Sequence, residues 1–237
     1  FLLFLVAVIQ AVDEYQGLLR AAVATAGNDH RLGANEAPPA VISIFLGDEL
    51  TDVLDAIEQA VPYSGTEKKK LKLGVAALPR FVRDTTDRNR TSPFAFTGNK
   101  FEFRMLGSNN SIACTNIMLN TAVAEILRRY ADQLEEAADF DAALHDLIKE
   151  TISAHKRIIF NGNGYDDAWI QEATEERGLL NLRTTPEAMG ATLEPKNMEL
   201  LASHKVLSET ELRSRYEIQM ENYCKTVRIE ALTMRDM

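Results

Sequence analysis

Two long helical patterns in the middle of the chain limit its fold more than any other feature. The first covers residues 111–136 and the second residues 140–156, and only a short connection near Asp139 separates them. A connection of this length predicts that the two helices pack side by side as a hairpin. We therefore expect a fold with a large helical share.

Helical patterns also open and close the chain. Residues 1–26 are largely apolar, and four residues give the second half of this segment a polar face: Asp13, Glu14, Gln16 and Arg20. The apolar opening has no basic segment or cleavage signal and is too short to span a bilayer, so we interpret it as a core helix. Ser208 and Glu211 form a capping-box pattern that predicts a last helix over residues 208–232.

Strand signals lie between these helices. Residues 41–46 (VISIFL) form a short, β-branched apolar run that predicts a buried strand. Residues 100–105 (KFEFRM) alternate apolar with charged side chains, which predicts a strand with one apolar and one charged face. Residues 28–39 (NDHRLGANEAPP) suit neither a helix nor a strand and predict a loop.

Composition excludes some partners and places the chain in a reducing compartment. The formal net charge is −9, which argues against a nucleic-acid groove because phosphate binding needs clustered Lys and Arg. Cys114 and Cys224 lack metal-ligand spacing, so we expect free thiols and no disulfide scaffold. The chain starts without Met inside one helical pattern and stops directly after another, so we expect it to be truncated at both ends.

Two segments mix arginine with carboxylate and are the candidates for chemistry. Arg31 accompanies Glu36 in the loop, while Arg90 precedes the charged strand face that carries Glu102 and Arg104. A guanidinium fits carboxylate or phosphate oxygens, and a nearby Glu can hold a hard cation or accept a proton, so the set suits phosphoryl transfer. A solvated strand edge is the commoner explanation of such charges in an arbitrary protein.

Other titratable residues carry weaker signals. The chain contains no GxxxxGK[ST], GxGxxG, HExxH or GxSxG motif. His30 has no evident second ligand, and we interpret it as structural. His145 and His155 lie ten positions apart and do not form a metal pair, so we expect both at the surface.

Four stretches carry a resemblance to a known family. RLGANEAPPA at residues 31–40 and DRNRTSPFAFTGNKFEFR at residues 87–104 resemble signatures of the glutamine synthetases. Together with IIFNGNGY at residues 158–165 and ELRSRYEI at residues 211–218, their spelling resembles the type III class. The resemblance extends over nearly the whole chain, and its motifs occur in the family's order.

The resemblance implies an α+β fold, with a curved, mainly antiparallel sheet flanked by helices and a helix-rich C-terminal half. The chain would be a partial catalytic domain. Residues 1–107 would supply active-site loops and strands, and residues 108–237 a helical packing region, part of which could be specific to type III. The family's N-terminal β-grasp domain would be absent from this chain.

The resemblance also implies a reaction, in which ATP phosphorylates the side chain of glutamate and ammonia displaces the phosphate. By motif, Arg31 would bind glutamate or its developing phosphate, and Glu36 would close the glutamate site and accept a proton from ammonium. Arg104 would hold a substrate carboxylate or phosphate. Glutamate, ammonia and ATP are thus the implied small-molecule partners.

The same motifs imply an ATP and metal side of the site. Arg90 would neutralise ATP phosphate charge, Lys100 would bind ATP where the family often has Arg, and Glu102 would be a ligand of Mg2+ or Mn2+. A further arginine of the commoner classes is replaced near Ala95. One Glu cannot make a magnesium site, so we expect this polypeptide alone to be inactive.

The implied setting is a cytoplasmic homo-oligomeric ring formed by the full-length protein, without nucleic acid or membrane partners. Two alternatives stay open. The first is a related ligase that joins glutamate to another amine, and the second is a non-catalytic assembly module that kept the fold.

Overall fold

The computed structural model describes residues 1–34, 37–63 and 92–237, together with the backbone of two short strands between them. Within these residues the fold is α+β and helix-rich, as the resemblance implies. The strands are β1 (Ile44–Phe45), β2 (Lys70–Leu71), β3 (Phe81–Val82), β4 (Phe94–Phe96) and β5 (Phe101–Phe103). The helices are α1 (Leu2–Glu14), α2 (Gln16–Ala21), α3 (Ala26–Arg31), α4 (Asp48–Glu58), α5 (Ile112–Glu135), α6 (Phe140–His155), α7 (Asp167–Gln171), α8 (Thr185–Met189), α9 (Pro195–Ser203) and α10 (Glu209–Asp236).

The first helix lies at the centre of the described fold. Its side chains from Leu5 to Ile9 are almost fully buried, and it packs against both α5 and α6. The predicted core helix over residues 1–26 is confirmed in outline, although it breaks at Tyr15 into α1 and α2. The sequence pattern there is apolar all round, which is typical of a helix surrounded by other elements.

The predicted polar face of this segment is wrong, because three of its four residues are buried. Asp13 is 3% exposed and accepts hydrogen bonds from Arg157 Nε at 3.0 Å and from the His155 ring at 2.8 Å. Gln16 accepts from the backbone N–H of Leu180 at 2.7 Å. Hydrogen bonds with partners distant in the sequence thus offset the free-energy cost of burying these polar groups. The His155 side chain that contacts Asp13 is 16% exposed, so the expectation that it lies at the surface is wrong.

The helical hairpin of α5 and α6 is confirmed. The Ser111 hydroxyl caps α5 by accepting from the N–H of Ala113 at 3.2 Å, and the Asp139 carboxylate caps α6 by accepting from Ala142 at 3.1 Å. Between the helices, the Tyr130 hydroxyl lies 3.1 Å from the hydroxyl of Thr151. Burial raises the pKa of Tyr130 to about 12.

Three strands form a small sheet beside these helices. β1 pairs with β4 in parallel, and β4 pairs with β5 antiparallel, with Phe94 opposite Phe103. The strand predicted over residues 41–46 is shorter than expected, because only Ile44 and Phe45 have ladder partners on β4. This sheet has one parallel and one antiparallel pair. The curved, mainly antiparallel sheet that the resemblance implies therefore stays a prediction.

The C-terminal helices pack against this core, with α9 in contact with α5 and α10 in contact with α3, α8 and α9. The capping box of Ser208 and Glu211 is present, and α10 continues to Asp236, one turn beyond the predicted end. Leu212 is the only buried residue of α10, which also contacts α3 through His30 and Glu230 at 3.3 Å. No helix in the described part of the chain has the length and apolar character needed to cross a bilayer.

Candidate active site

The strand β5 presents the charged face that its alternation predicts. Lys100 and Arg104 each lie two positions from Glu102, so the three side chains lie on one side of the strand. The Arg104 guanidinium donates to Glu102 Oε2 from Nε at 3.1 Å and from Nη2 at 3.0 Å. Lys100 Nζ lies 3.2 Å from Glu102 Oε1. Both oxygens of the carboxylate therefore face cations.

These cations set the ionisation of Glu102. Hydrogen bonding by Arg104, followed by that of Lys100, holds the pKa of the Glu102 carboxyl below its usual value. The Arg104 side chain is 16% exposed and the Lys100 side chain 64%, so the pair combines a fixed guanidinium with a solvated ammonium. The face is therefore a preformed, mixed-charge surface.

A short helix brings Arg31 to this strand. The segment expected to be a loop begins with α3, whose first turn is capped by Thr25 Oγ1 accepting from the N–H of Asn28 at 3.2 Å. Arg31, the last residue of α3, donates from Nη1 to the Met105 carbonyl at 3.0 Å and from Nη2 to the Arg104 carbonyl at 3.2 Å. The two predicted segments thus meet at the end of β5.

A buried ion pair anchors α3 from the other side. Arg20 is 1% exposed and donates from Nη2 to Asp29 Oδ1 at 3.0 Å, while Asp29 Oδ2 accepts from the N–H of Thr185 at 2.6 Å. Arg20 also donates to the carbonyls of Leu182 at 2.8 Å and Arg183 at 3.2 Å. Sequence reasoning missed this pair, although a lone Arg between Leu18-Leu19 and Ala21-Ala22 was an available signal.

Two predicted site residues, Glu36 and Arg90, lie outside the described residues. The chain on either side of Glu36 is nevertheless held together, because the N–H of Gly33 donates to the Pro38 carbonyl at 2.9 Å. Gly33 has φ of 80°, a left-handed conformation that costs glycine little. The two ends of this segment are therefore fixed next to Arg31.

Comparisons with known proteins give a family model for part of the chain and relatives that match all of it. A family model described as glutamine synthetase C-terminal domain matches residues 143–237. The glutamine synthetase of Butyrivibrio fibrisolvens is 47% identical over 246 residues, covering 100% of this chain and 34% of that protein. The type-3 glutamine synthetase of Dictyostelium discoideum is 47% identical over 240 residues, covering 100% of this chain and 32% of its own length.

A third relative of similar identity has the same name. The glutamine synthetase of Bacteroides fragilis (strain YCH46) is 46% identical over 244 residues, covering 100% of this chain and 33% of that protein. The chain belongs to the glutamine synthetase family. It spans about a third of the length of the curated relatives it matches, and the resemblance to the type III class is confirmed by a relative of that name.

The described residues supply an incomplete ligand set for the metal that is expected for a glutamine synthetase. No group of three His, Cys, Asp or Glu side chains there could hold a metal ion. Mg2+ requires near-octahedral oxygen coordination, and Glu102 offers one carboxylate whose oxygens already face Lys100 and Arg104. The described residues alone therefore do not fit Mg2+, and Glu102 can be at most one ligand of a site completed from elsewhere.

An apolar groove lies beside the strand β5. It has a volume of about 450 Å3, and Val8, Phe96 and Phe101 are among its lining residues. Among the lining residues that the structure describes, Lys100 is the one that is charged. Such a groove is poorly suited to phosphate, which needs several donors, so the charged face of β5 is the better candidate for the reaction.

Proposed function

We propose that a full-length protein containing this sequence ligates ammonia to glutamate in an ATP-dependent reaction, with γ-glutamyl phosphate as the intermediate. The observation that carries this proposal is the junction at the end of β5, where the Arg31 guanidinium donates to the carbonyls of Arg104 and Met105. This contact joins the two segments that resemble glutamine synthetase signatures. The family membership supports the same reaction.

Arg31 has donors left for a substrate. Its guanidinium carries five N–H groups, and the described residues accept three hydrogen bonds from them, at Asn28 Oδ1 and the two carbonyls. Two N–H groups, one on Nη2 and one on Nε, are then available for the carboxylate or developing phosphate of glutamate. Arg104 holds a second substrate carboxylate or phosphate oxygen, and its guanidinium is oriented for this by Glu102.

Glu36 is proposed to close the glutamate site and to accept a proton from ammonium. Ammonium has no lone pair, so it must lose a proton before it can attack the acyl phosphate. Closure by the segment between Gly33 and Pro38 would also keep water away from an intermediate that water hydrolyses. The hydrogen bond between those two residues supports a segment with fixed ends.

The ATP side of the proposal uses Arg90, Lys100 and Glu102. Arg90 and Lys100 neutralise phosphate charge, Lys100 as a point charge without the fork of a guanidinium. Glu102 contributes one ligand to Mg2+ or Mn2+, and the remaining ligands come from outside the described residues. When bound, the metal would offset negative charge on the phosphates.

The rest of the site is proposed to come from the remainder of the polypeptide and from neighbouring subunits of a homo-oligomeric ring. On this basis the 237-residue chain alone does not make glutamine. Cys114 and Cys224 are both free thiols, which suits a reducing cytoplasm. A formal net charge of −9 supports a protein without nucleic-acid partners.

The test is glutamine formation from glutamate, ATP and ammonia with Mg2+ by the full-length protein, compared with its Arg31→Ala and Glu36→Ala variants. Each variant should lose at least about a hundredfold in rate, equivalent to about 2.7 kcal/mol of transition-state stabilisation. A matched control is Arg213→Ala, which removes an exposed arginine that pairs with Glu209 on α10. This control should keep its rate within about twofold.

The same assay separates the alternatives. A wild-type protein that phosphorylates glutamate but transfers it only to a polyamine would be a related glutamate-amine ligase. A protein that neither hydrolyses ATP nor consumes glutamate would be a non-catalytic assembly module, and the proposed reaction would be refuted. Unchanged rates in both site variants would refute the roles given to Arg31 and Glu36.

A further inference from the structure

Asn28 occupies a buried position directly behind Arg31. It is 3% exposed and lies one helical turn before Arg31 on α3. Its Nδ2 donates to the carbonyls of Val23 at 2.8 Å and Met105 at 2.9 Å, and its Oδ1 accepts from Arg31 Nη1 at 3.2 Å. Both donors and the acceptor of the amide are therefore in use.

These contacts form a closed arrangement around one carbonyl. The Met105 oxygen accepts from Asn28 and from Arg31, and Arg31 Nη1 bridges from that oxygen to Asn28 Oδ1. The guanidinium is thus held from two directions, by α3 itself and by the residue that follows the charged strand. An arginine side chain otherwise has about 2 kcal/mol of rotamer entropy to lose on binding a substrate.

We propose that Asn28 is a positioning residue for the reaction, which orients the guanidinium of Arg31 and fixes α3 against the end of β5. The Arg31 side chain is thereby held beside the backbone of Arg104, and the inference rests on the proposed function, in which both arginines bind the substrate. The position requires an amide: Asp would replace two donors by acceptors facing carbonyls, and Leu would leave the Val23 carbonyl without its partner.

A purely structural asparagine provides the matched control. Asn197 is 0% exposed and donates to the Ala191 carbonyl at 2.7 Å and to Glu194 Oε2 at 3.5 Å, and neither partner belongs to the candidate site. Asn197→Ala removes a buried side-chain amide, as Asn28→Ala does. Both variants should lower the thermal midpoint, but only the change at Asn28 should alter kinetics.

The experiment is a double-mutant cycle in the full-length protein, with Asn28→Ala, Arg31→Ala and the combined variant. Asn28→Ala should lower kcat/KM for glutamate about 10- to 100-fold, because a guanidinium displaced by about 1 Å can cost a hundredfold. In the Arg31→Ala background the same change should cost less than about threefold. Asn197→Ala should keep kcat/KM within about twofold of wild type.

Equal losses in both backgrounds, or an unchanged kcat/KM in Asn28→Ala, would overturn the proposal. If Asn28→Ala does not fold, Asn28→Ser takes its place, since the hydroxyl can still donate to one carbonyl. The same cycle is also measured by chemical denaturation, which needs no activity, and the combined loss in the unfolding equilibrium constant should be at least about threefold smaller than the product of the single losses.

The two measurements distinguish the two proposals. An inactive wild-type protein with coupled unfolding losses refutes the proposed function and supports the contact between Asn28 and Arg31. An active protein with independent losses in both measurements refutes the positioning role and leaves the proposed function standing.

Discussion

Asp29→Asn is expected to release α3 from its anchor. Asp29 is the charged partner of Arg20, which is 1% exposed, and it also accepts from the N–H of Thr185. Removal of one member of a buried ion pair costs about 3–5 kcal/mol, because the other charge stays buried. Arg20 keeps its bonds to the carbonyls of Leu182 and Arg183, so we expect the lower end, about 3 kcal/mol.

Hydrogen exchange in the native full-length protein measures this local loss directly. A change of about 3 kcal/mol corresponds to about 150-fold faster exchange in peptides that cover α3 and residues 182–190. The control is Asp132→Asn, which removes an exposed partner of Arg128 and should leave exchange unchanged. Acceleration below about fivefold would show that the carbonyls alone hold Arg20 and that Asp29 does not anchor α3.

The remaining predictions concern charge, thiols and metal. Hydrogen bonding by Arg128 lowers the pKa of Glu125 from 4.5 to about 2, so its stabilisation is present above pH 4.5 and is lost as the pH falls through about 2. Between pH 5 and pH 2 the wild-type protein should therefore lose about 3 kcal/mol more of its free energy of unfolding than the Glu125→Gln variant, measured from the unfolding midpoints of both proteins at each pH. Burial raises the pKa of Cys114, so an alkylating reagent followed by intact mass should modify the exposed Cys224 first, and faster reaction at Cys114 would contradict this. Calorimetry of the 237-residue chain should detect no micromolar Mg2+ binding, because in the part of the chain that the structure describes Glu102 is a single carboxylate neutralised by two cations; micromolar binding would contradict this incomplete ligand set.

The long helices could be predicted from the sequence, whereas the burial of their polar residues could not. The patterns and caps of α5, α6 and α10 are local, since each cap and its recipient lie within three residues. Asp13 and Gln16 look like a solvated face because a helical pattern contains no information about residues 155–180, which supply their partners. Tertiary contacts decided these positions.

The candidate site shows the same division between local and distant information. Alternation predicted the charged face of β5 correctly, because side chains two apart on a strand share a face. The family resemblance singled out Arg31 and Arg104, but no pattern indicated that the first contacts the backbone of the second. The sequence predicts a loop at Asn28 because Gly, Asn and Pro lie around it, whereas the structure has a helix of six residues there.

The contacts of Arg31 connect these two levels. A guanidinium on a flexible side chain is a poor binding group for a carboxylate or phosphate by itself, because its orientation must be fixed each time a substrate binds. Here α3 is held on one side by Arg20 and Asp29 and on the other by Asn28 and the Met105 carbonyl. Neither set includes a residue that we propose to touch substrate. The precision of the proposed site therefore depends on buried polar groups outside it, so changes at Asp29 and Asn28 should impair synthesis even though the charged face of β5 stays intact.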